Sequence, residues 1–401
     1  MSVTSSFSPV PRVTPSPTSW HSLPAYTSVP EALAAHVNDD HLYVLYPEKI
    51  AQAAQTFLTG FPGSVLYAVK ANPHPVVLKT LWEEGVRHFD VASMREVELV
   101  HTTLPQAKMF LMHPVKSRAL IAHAYAIGVR DFAFDCLDEL KKIVAVTNGA
   151  KDLHLHLRLA LNEGDAVMPL TGKFGASHEA VFNLLPLARD LGQKLGLCFH
   201  VGSQCLEANN YATAIHYARQ LVDEAGVKID SIDVGGGFPV AYPDMPVPPM
   251  QTFFEVIADS IKENNFDTVE IFGEPGRALC AEGGSTLARI ELRKDKDLYL
   301  NDGVYGSLFD AGQCAWKFPV ELHRDRPPSP AANSVPFRFF GPTCDSIDVM
   351  TGPFHLPEDA GEGDWVEVKH LGAYGQGLAG RFNGFHSETT VAITTPERQE
   401  R

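Results

Sequence analysis

The chain has 401 residues, of which 45% are hydrophobic and 20% charged, as expected for a globular protein of two or three domains. Its formal net charge of −15 argues against a nucleic-acid-binding surface, which needs clustered lysines and arginines, and is compatible with a cationic small substrate. No apolar run reaches the roughly 18 residues of a membrane-spanning helix, so no membrane association is expected.

The cysteines and the N-terminal residues both bear on where the protein works. The chain has six cysteines, and none of them forms a CxxC pair. This pattern favours reduced thiols in a cytoplasmic protein over a disulfide scaffold. The first 30 residues are rich in Ser, Thr and Pro and lack the basic start and apolar core of a signal peptide. Residues 1–22 are therefore predicted to form a flexible tail.

From residue 42 onwards, apolar strand-like runs alternate with amphipathic helical patterns. A short strand over 42–46 and a helix from Pro47 open the series. Eight further strands are predicted over 64–69, 88–91, 109–112, 131–134, 153–159, 197–201, 231–234 and 268–272. Helices are predicted over 75–84, 94–103, 118–128, 137–146, 178–191, 210–225 and 250–263. Strands and helices in this alternation predict a closed (β/α)₈ barrel of the TIM type, spanning 42–280.

After about residue 281 the pattern changes to strands with few helices between them. Strands are predicted over 285–293, 297–299, 336–340, 364–369 and 389–394, and a Pro/Ala/Ser loop over 326–333. The fold class is therefore α/β, a barrel followed by a β-rich domain over 281–401. Part of 23–41 is expected to join this second domain, because it would otherwise have no partner.

Each barrel strand ends in a polar, charged or glycine group. In chain order these groups are Lys70, Asp90, His113, Asp135, Arg158, His200, the triplet Gly235, Gly236 and Gly237, and Glu274 with Arg277. Any one of them could be a loop residue that meets water. A barrel places its active site at the C-terminal ends of its strands, so the eight together predict an active site there.

The chemistry of these groups points to one cofactor. Lys70 offers an amine for an imine, although on its own it could be a lysine at a strand end. The glycine triplet lets backbone N–H groups approach an anion if a helix follows, and is otherwise a tight turn. Glu274 could keep a ring nitrogen protonated, Arg277 suits a phosphate, and His200 could stack on a ring or be a core histidine. Pyridoxal 5′-phosphate (PLP) requires all four features: an amine, an acid for its ring nitrogen, a site for its phosphate and a ring that stacks on its own.

Several short motifs carry a family resemblance that runs from about residue 40 to 386. They are Tyr-Ala-Val-Lys-Ala-Asn at 67–72, Phe-Asp-Val-Ala-Ser at 89–93, Phe-His-Val-Gly-Ser at 199–203, Asp-Val-Gly-Gly-Gly-Phe-Pro at 233–239, Gly-Glu-Pro-Gly-Arg at 273–277, Asp-Gly-Val-Tyr-Gly-Ser at 302–307, Gly-Pro-Thr-Cys-Asp-Ser-Ile-Asp at 341–348 and Gly-Ala-Tyr at 372–374. With these motifs the chain resembles the fold-type III PLP decarboxylases, in particular the ornithine decarboxylase group.

The resemblance implies a role for each matching position. Lys70 would carry the cofactor as a Schiff base, Glu274 would bind the pyridine nitrogen, and His200 would stack on the ring. The phosphate would be held by Ser203, Gly235, Gly236, Gly237, Gly276, Arg277 and Tyr374. Asp90 and Arg158 would lie beside the cofactor. Cys344 would reach the neighbouring subunit's site and protonate the decarboxylated carbon, which implies a homodimer with shared sites.

The resemblance also bears on the substrate. Asp310 and Asp345, with Tyr305, are expected to meet a distal ammonium, and two carboxylates favour a basic side chain. Ornithine is the expected substrate and lysine a second one, since a single methylene discriminates weakly. Two departures from the family stand at 111–114 and 311–326, and the second leaves the register of Asp310 open by several residues. No metal is expected.

Other functions remain open from the sequence. A diaminopimelate decarboxylase would need an arginine-type partner for a distal carboxylate, and no matching arginine–proline–tyrosine segment follows Asp302. Non-catalytic relatives that act as binding regulators usually lose cofactor contacts, but Lys70, Glu274, Arg277 and Cys344 are all present. Small PLP carriers lack a β domain, and a racemase would use a tyrosine acid on a shorter chain.

Overall fold

The computed structural model describes residues 23–36, 40–161, 166–168, 172–324 and 333–395. The predicted tail over 1–22, most of the loop over 326–333 and the last six residues lie outside them. The strands are β1 (Ala25–Tyr26), β2 (Leu42–Leu45), β3 (Ser64–Ala68), β4 (His88–Asp90), β5 (Lys108–Leu111), β6 (Asp131–Phe134), β7 (His154–Arg158), β8 (Ala166–Met168), β9 (Lys194–Cys198), β10 (Ser203–Cys205), β11 (Ser231–Asp233), β12 (Glu270–Gly273), β13 (Gly284–Lys294), β14 (Asp297–Leu300), β15 (Val320–His323), β16 (Ser334–Phe340), β17 (Val349–Pro357), β18 (Trp365–Lys369) and β19 (Thr390–Ile393). The helices are α1 (Val29–Ala35), α2 (Pro47–Gly60), α3 (Pro75–Glu84), α4 (Met94–Thr103), α5 (Arg118–Ala126), α6 (Leu137–Val146), α7 (His178–Leu191), α8 (Asn209–Ala225), α9 (Met250–Glu263), α10 (Arg277–Cys280) and α11 (Phe309–Gln313).

Eight parallel strands close into a barrel in the order β3, β4, β5, β6, β7, β9, β11 and β12. Pairing of β12 with β3, with Phe272 opposite Ser64, completes the ring. These are the eight predicted strands, so the predicted (β/α)₈ barrel is confirmed. The helices α3 and α4 begin and end where the sequence predicts.

The barrel strands are apolar because both of their faces are buried. Leu66, Phe110 and Phe272 point inward and belong to the cluster that fills the barrel. Val65 and Tyr67, one position on either side of Leu66, pack outward into the large core under the helices. This alternation fixes which side chains reach the barrel interior and which support the helices.

The second domain is a nine-stranded sheet that also uses residues from before the barrel. Its main path runs β1, β19, β2, β13, β14, β16 and β17, while β18 pairs with β13 and β15. Because β2 bonds β13 on one side and β19 on the other, Leu42–Leu45 belongs to this sheet. The predicted start of the barrel domain at residue 42 is therefore wrong. The confirmed β-rich character of this domain includes β15 and β17, which the sequence did not predict.

Within the described ranges, no helix is both long and apolar enough to cross a membrane. None of the six cysteines, all of which lie in the described ranges, forms a disulfide bond, and three of them (Cys198, Cys205 and Cys280) are buried.

A buried ion pair joins the C-terminal ends of β5 and β6. The Nζ atom of Lys116 lies 3.0 Å from Glu139 Oε1, and both side chains are almost completely buried. The same ammonium donates to the carbonyl oxygens of His113 (2.9 Å) and Ala133. Burial lowers the pKa of Lys116 to about 8 despite the neighbouring carboxylate of Glu139. This pair holds the loop after β5 against the end of β6.

Replacing Lys116 by methionine is expected to lower the free energy of unfolding by about 3 kcal/mol, because Glu139 is left buried without that cation. Urea titration of the purified protein measures the change. Lys142→Met is the matched control, since Lys142 contacts the other oxygen of Glu139 from a more exposed position. Its expected effect is below about 1 kcal/mol. Equal losses in the two variants would contradict the importance given to the buried contact.

Candidate active site

Lys70 stands directly after β3, in the short turn Val69–Ala71 at the mouth of the barrel. The backbone of this segment is held on both sides. Ala68 N–H donates to the carbonyl oxygen of Pro275 (3.2 Å), in the loop after β12. The Asn72 side chain donates to the carbonyl oxygen of Gly372 in the second domain (2.8 Å). The lysine is therefore fixed where the barrel meets the second domain.

The charge of Lys70 is balanced by carboxylates. Burial lowers the pKa of its amine, but Asp90, Tyr374 and Glu274 together raise that pKa above its usual value. Asp90 ends β4, is 5% exposed, and accepts a hydrogen bond from the Met112 N–H (3.3 Å). Burial raises the pKa of Asp90, and the proximity of Lys70 lowers it. The site thus holds a cation against buried acids.

Glu274 shares its surroundings with a second acid, Asp233, to which the sequence analysis gave no role. Asp233 ends β11, is fully buried, and accepts a hydrogen bond from the Gly235 N–H (2.8 Å). Burial raises the pKa of Asp233 to about 6, and burial together with Asp233 and Asp90 raises the pKa of Glu274 well above its usual value. Such a pair tends to retain a proton when no cation lies beside it, and a protonated ring nitrogen next to Glu274 would supply the cation that favours its carboxylate form. The only sequence signal for Asp233 was its place just before the glycine triplet.

His200 follows β9 and is neutral. Its Nδ1 atom accepts a hydrogen bond from the Gly202 N–H (3.0 Å), so the ring proton resides on Nε2. Burial lowers the pKa of His200 to about 3, with further lowering by Lys70 and Arg158. The ring packs against Gly236, where an added Cβ would lie 3.2 Å from Nε2. An uncharged flat ring in this position suits stacking on a cofactor.

The glycine triplet forms a loop that leaves no room for side chains. A Cβ on Gly236 would lie 2.6 Å from the Glu274 carbonyl oxygen, and one on Gly237 would lie 2.4 Å from that of Gly202. Gly237 also has a φ of 104°, which favours glycine. No helix follows the triplet until α9 begins at Met250, where the sequence predicts it, so the condition for an anion site at a helix N-terminus is not met directly after the triplet. The prolines between them, from Pro239 onwards, explain the irregular backbone.

Arg158 and Ser203 lie on the same rim. Arg158 ends β7, and its charge influences Lys70, Glu274 and His200. Ser203 begins β10, which pairs with β8 beside the barrel. His113 and Asp135 are the other two strand-end residues, and both contact the segment after β8 that contains Phe174 and Gly175. The His113 ring packs against Phe174 (5.2 Å between centroids), and Asp135 accepts from the Gly175 N–H (3.0 Å).

Arg277 follows Gly276 and is buried among aromatic rings. Its guanidinium carbon lies 4.9 Å from the centroid of Tyr374 and 5.1 Å from that of Trp316. Its Nη1 atom lies 3.1 Å from Asp310 Oδ2. Asp310, which the resemblance assigns to a substrate ammonium, is thus paired with an arginine of its own chain. Tyr374 also donates its backbone N–H to Ala71 (2.9 Å), next to Lys70.

Cys344, Asp345 and Tyr305 form a separate group on the second domain. Cys344 is exposed, and Asp345 accepts a hydrogen bond from the Tyr305 hydroxyl (2.6 Å). Buried Asp348 shapes this loop by accepting from Val304 N–H (2.8 Å) and from Thr343 N–H (3.0 Å). In the described part of the chain, no hydrogen bond or ion pair joins the three residues to Lys70 or Glu274.

A strand-end lysine, a proton-retaining acid and a glycine loop at the mouth of a barrel are the site of a PLP-dependent enzyme. The sequence model of the pyridoxal-dependent decarboxylase pyridoxal binding domain matches residues 47–281. The chain therefore belongs to the pyridoxal-dependent decarboxylases, and pyridoxal phosphate is its cofactor.

Curated proteins and solved structures agree with this assignment. A lysine/ornithine decarboxylase from Selenomonas ruminantium is 35% identical, covering 82% of both chains. An ornithine decarboxylase from Panagrellus redivivus is 33% identical over 91% of this chain and 88% of its own. Antizyme inhibitor 2 from Xenopus laevis is 32% identical over 80% of this chain and 73% of its own. The Paramecium bursaria Chlorella virus arginine decarboxylase structure aligns with a TM-score of 0.80 at 28% identity, covering 92% of this chain and 99% of its own.

The acid pair predicts how stability depends on pH. Because the pKa values of Asp233 and Glu274 are raised on folding, the stability they contribute is complete below their unfolded pKa values, near 4. It is lost as pH rises through about 6 for Asp233 and further for Glu274. The cofactor-free protein should therefore have a lower unfolding free energy at roughly pH 7 than at roughly pH 4 through this pair.

Asp233→Asn keeps an acceptor for Gly235 and cannot ionise, so the variant should lose less unfolding free energy over this pH range than the native protein. Urea titrations of both cofactor-free proteins at the two pH values make the comparison. Asp267→Asn, at an exposed position, is the control and should behave like the native protein. An undiminished loss in Asp233→Asn would show that the acid pair does not control the dependence.

Proposed function

We propose that this decarboxylase acts on basic L-amino acids, with L-ornithine converted to putrescine and carbon dioxide as the main reaction and L-lysine converted to cadaverine as the second. The observation that carries the proposal is the amine of Lys70, held among Asp90 and Glu274 at the mouth of a PLP-binding barrel. The ornithine and lysine/ornithine decarboxylases to which the chain is similar support the choice of substrate.

The residues present fit the cofactor. Lys70 offers the amine for its aldehyde, Glu274 a proton partner for its ring nitrogen, and His200 a neutral ring for its face. The phosphate group would be held by Ser203, Gly235, Gly236, Gly237, Gly276, Arg277 and Tyr374. Asp90 and Arg158 supply balancing charges. When bound, PLP supplies an electron sink for the bond that releases carbon dioxide.

Each protein residue then has one task in the reaction. Lys70 would hold the cofactor through its amine and keep it in place between turnovers. Glu274, whose pKa is raised by burial and by Asp233, keeps a proton available at the ring nitrogen. His200 covers one face and excludes water from it. The Cys344 thiol returns a proton to the carbon that has lost its carboxylate.

We further propose a homodimer in which Cys344 serves the partner subunit's site. The group formed by Cys344, Asp345 and Tyr305 is at least partly exposed on the second domain, and among the described residues it has no hydrogen bond or ion pair with its own Lys70. Large apolar side chains are exposed on the same domain, namely Phe309, Ile347, Leu378, Phe382 and Phe385. Tyr305 contacts one of these exposed apolar side chains, since the centroid of its ring lies 4.7 Å from that of Phe382. Exposed apolar surface of this kind is typical of an interface. Six cysteines without a disulfide bond support a reducing compartment such as the cytoplasm.

In this dimer Asp345 would meet the distal ammonium of the substrate. The hydrogen bond from Tyr305 lowers the pKa of Asp345, so it is a carboxylate at neutral pH. A carboxylate attracts ornithine and lysine alike, because their side chains differ by one methylene. The other expected acid, Asp310, is engaged by Arg277.

A non-catalytic regulator is the second candidate, because an antizyme inhibitor is among the similar proteins. The presence of Lys70, Glu274 and the glycine loop in one site favours catalysis. Cofactor binding together with carbon dioxide release separates the two functions.

The first test measures the visible absorbance of the purified protein and its release of carbon dioxide from ornithine, lysine, arginine and diaminopimelate. Release is expected with ornithine first and lysine second. Lys70→Ala should lose both the absorbance and the release, because no amine remains to hold the cofactor. Diaminopimelate as the best substrate would overturn the role of Asp345, and no release from any of the four would move the protein to the regulator class.

The second test mixes two inactive variants, Lys70→Ala and Cys344→Ala. If each site takes its lysine from one subunit and its cysteine from the other, every mixed dimer has one intact site. Random exchange makes about half of the dimers mixed, so about a quarter of the native rate of putrescine formation should return. Variants that each retain native folding by circular dichroism are required. No recovery on mixing would place Cys344 in the site of its own subunit.

A further inference from the structure

A histidine to which the proposed reaction gives no task lies inside the barrel, one layer below the acid pair. Leu155 and Leu157 of β7 pack outward into the large core. His156 stands between them, and because successive side chains of a strand point to opposite faces, it points inward. Its ring centroid lies 6.2 Å from that of Phe110, which helps to fill the barrel. His156 is therefore a buried titratable group below the cofactor site.

Gly196 makes room for the ring of His156. In the barrel register Gly196 lies between His156 on β7 and Ser231 on β11. A Cβ on Gly196 would lie 2.6 Å from His156 Nδ1 and 2.3 Å from Ser231 Oγ, closer than non-bonded atoms approach one another. Asp233 stands two residues after Ser231 and shares its inward face of β11. The Nδ1 edge of the ring therefore faces the side of the barrel that carries Asp233.

Asp131 holds the ring from its other edge. Its Oδ1 atom accepts a hydrogen bond from His156 Nε2 (3.0 Å) and lies 3.2 Å from His154 Nδ1. Its Oδ2 atom lies 3.3 Å from Lys108 Nζ. Although burial opposes it, the hydrogen bonds from His154 and His156 lower the pKa of Asp131. Asp131 is thus a carboxylate that can balance a positive charge on His156.

His156 and Asp233 each have one buried polar atom that finds no hydrogen-bond partner among the described residues. These atoms are His156 Nδ1 and Asp233 Oδ2. With its proton on Nε2, a neutral ring offers only a lone pair at Nδ1, and an ionised carboxylate also only accepts. Buried acceptors without a donor are unfavourable, whereas a proton on Nδ1 gives the ring a second donor and a positive charge. Burial raises the pKa of Asp233, and the Gly235 N–H and the charge of His156 both lower it.

We propose that His156, protonated on both ring nitrogens and held by Asp131, is a positioning residue that supplies the positive charge for an ionised Asp233. The proton that the acid pair retains then resides on Glu274, the member of the pair that meets the cofactor ring. The proposal rests on the proposed function, in which Glu274 is the partner of the ring nitrogen. His156 balances Asp233 from below as a protonated ring nitrogen balances Glu274 from above, so both acids can be ionised together.

Other charged and titratable groups share the barrel interior with His156. A change at position 156 leaves all of them in place, so a shift that it causes is assigned to the histidine. By strand alternation, the groups on the inner faces and at the ends of the eight strands are Lys70, His88, Asp90, Lys108, Asp131, Asp135, His154, Arg158, Lys194, Cys198, His200, Asp233, Glu270 and Glu274.

The test follows the infrared absorbance of protonated carboxyl groups while cofactor-free protein is titrated with base. Asp233→Asn and Glu274→Gln identify the band of the acid pair. His156→Gln keeps an N–H donor for Asp131 but cannot become charged, so the pH at which half of this band is lost should rise by on the order of one pH unit. His154→Gln is the matched control, because His154 contacts the same oxygen of Asp131 from a partly exposed position. Its midpoint should stay near the native one.

Asp131→Asn is a second and independent variant. Without this carboxylate the buried imidazolium of His156 loses its counter-charge and should give up its extra proton, so the midpoint should rise again. Adding His156→Gln to Asp131→Asn should then have no further effect. An unchanged midpoint in His156→Gln would overturn the proposal. If that variant does not fold, an unchanged midpoint in Asp131→Asn would overturn it.

The effect on turnover tests whether this charge matters for the reaction. In the PLP-bound enzyme His156→Gln should lower kcat for ornithine about tenfold, the equivalent of one pKa unit, because Glu274 then gives up its proton less readily. The KM should stay near the native value, since no contact with the substrate changes. A native kcat in this variant would contradict the role of His156. Failure of the native protein to release carbon dioxide would instead refute the proposed function, and the infrared titration would still decide the protonation of His156.

Discussion

The charge balance around Lys70 is the constraint on which the rest of the site depends. One ammonium faces Asp90 and Glu274, and Asp233 and Arg158 act on the same acids. Burial raises the pKa of all three carboxyl groups, so their ionised forms are favourable only when positive charge lies beside them. A protonated pyridine ring supplies such a charge, and the site is therefore more complementary to the bound cofactor than to water.

These charges can balance one another only if the strand ends lie at the same height along the barrel axis. The register of the barrel strands places them at the same height. Ala68 is opposite Asp90 across β3 and β4, and Asp233 is opposite Phe272 across β11 and β12. The residues one or two positions further along each chain consequently meet above the barrel. The second domain fixes the same level from outside, through the contacts of Gly372 with Asn72 and of Tyr374 with Ala71.

The sequence predicts the parts of the molecule that depend on local pattern. Buried strands of three to five residues alternate with helices of clear periodicity, so the barrel could be derived without coordinates. Pairing between distant segments could not. The four residues of β2 precede the barrel and resemble its strands, yet they bond β13, which lies some 240 residues further along the chain. Gly352 and Pro353 lie inside β17, and a Gly-Pro pair is typical of a turn, so the sequence did not predict this strand.

The site residues divide in the same way, into those that a local sequence motif identifies and those that depend on contacts between distant segments. Lys70, His200 and Glu274 could be assigned because each stands in a short motif at a strand end. Glu274 is influenced by Asp233, which lies 41 residues before it in the chain. Arg277 contacts Asp310, which lies 33 residues after it. No sequence motif predicts either interaction. Asp310 contacts Arg277, whereas Asp345 accepts from the Tyr305 hydroxyl and from the Ile347 N–H of its own loop. Which of these two acids is open to a ligand therefore depends on packing between distant segments and not on either sequence motif alone.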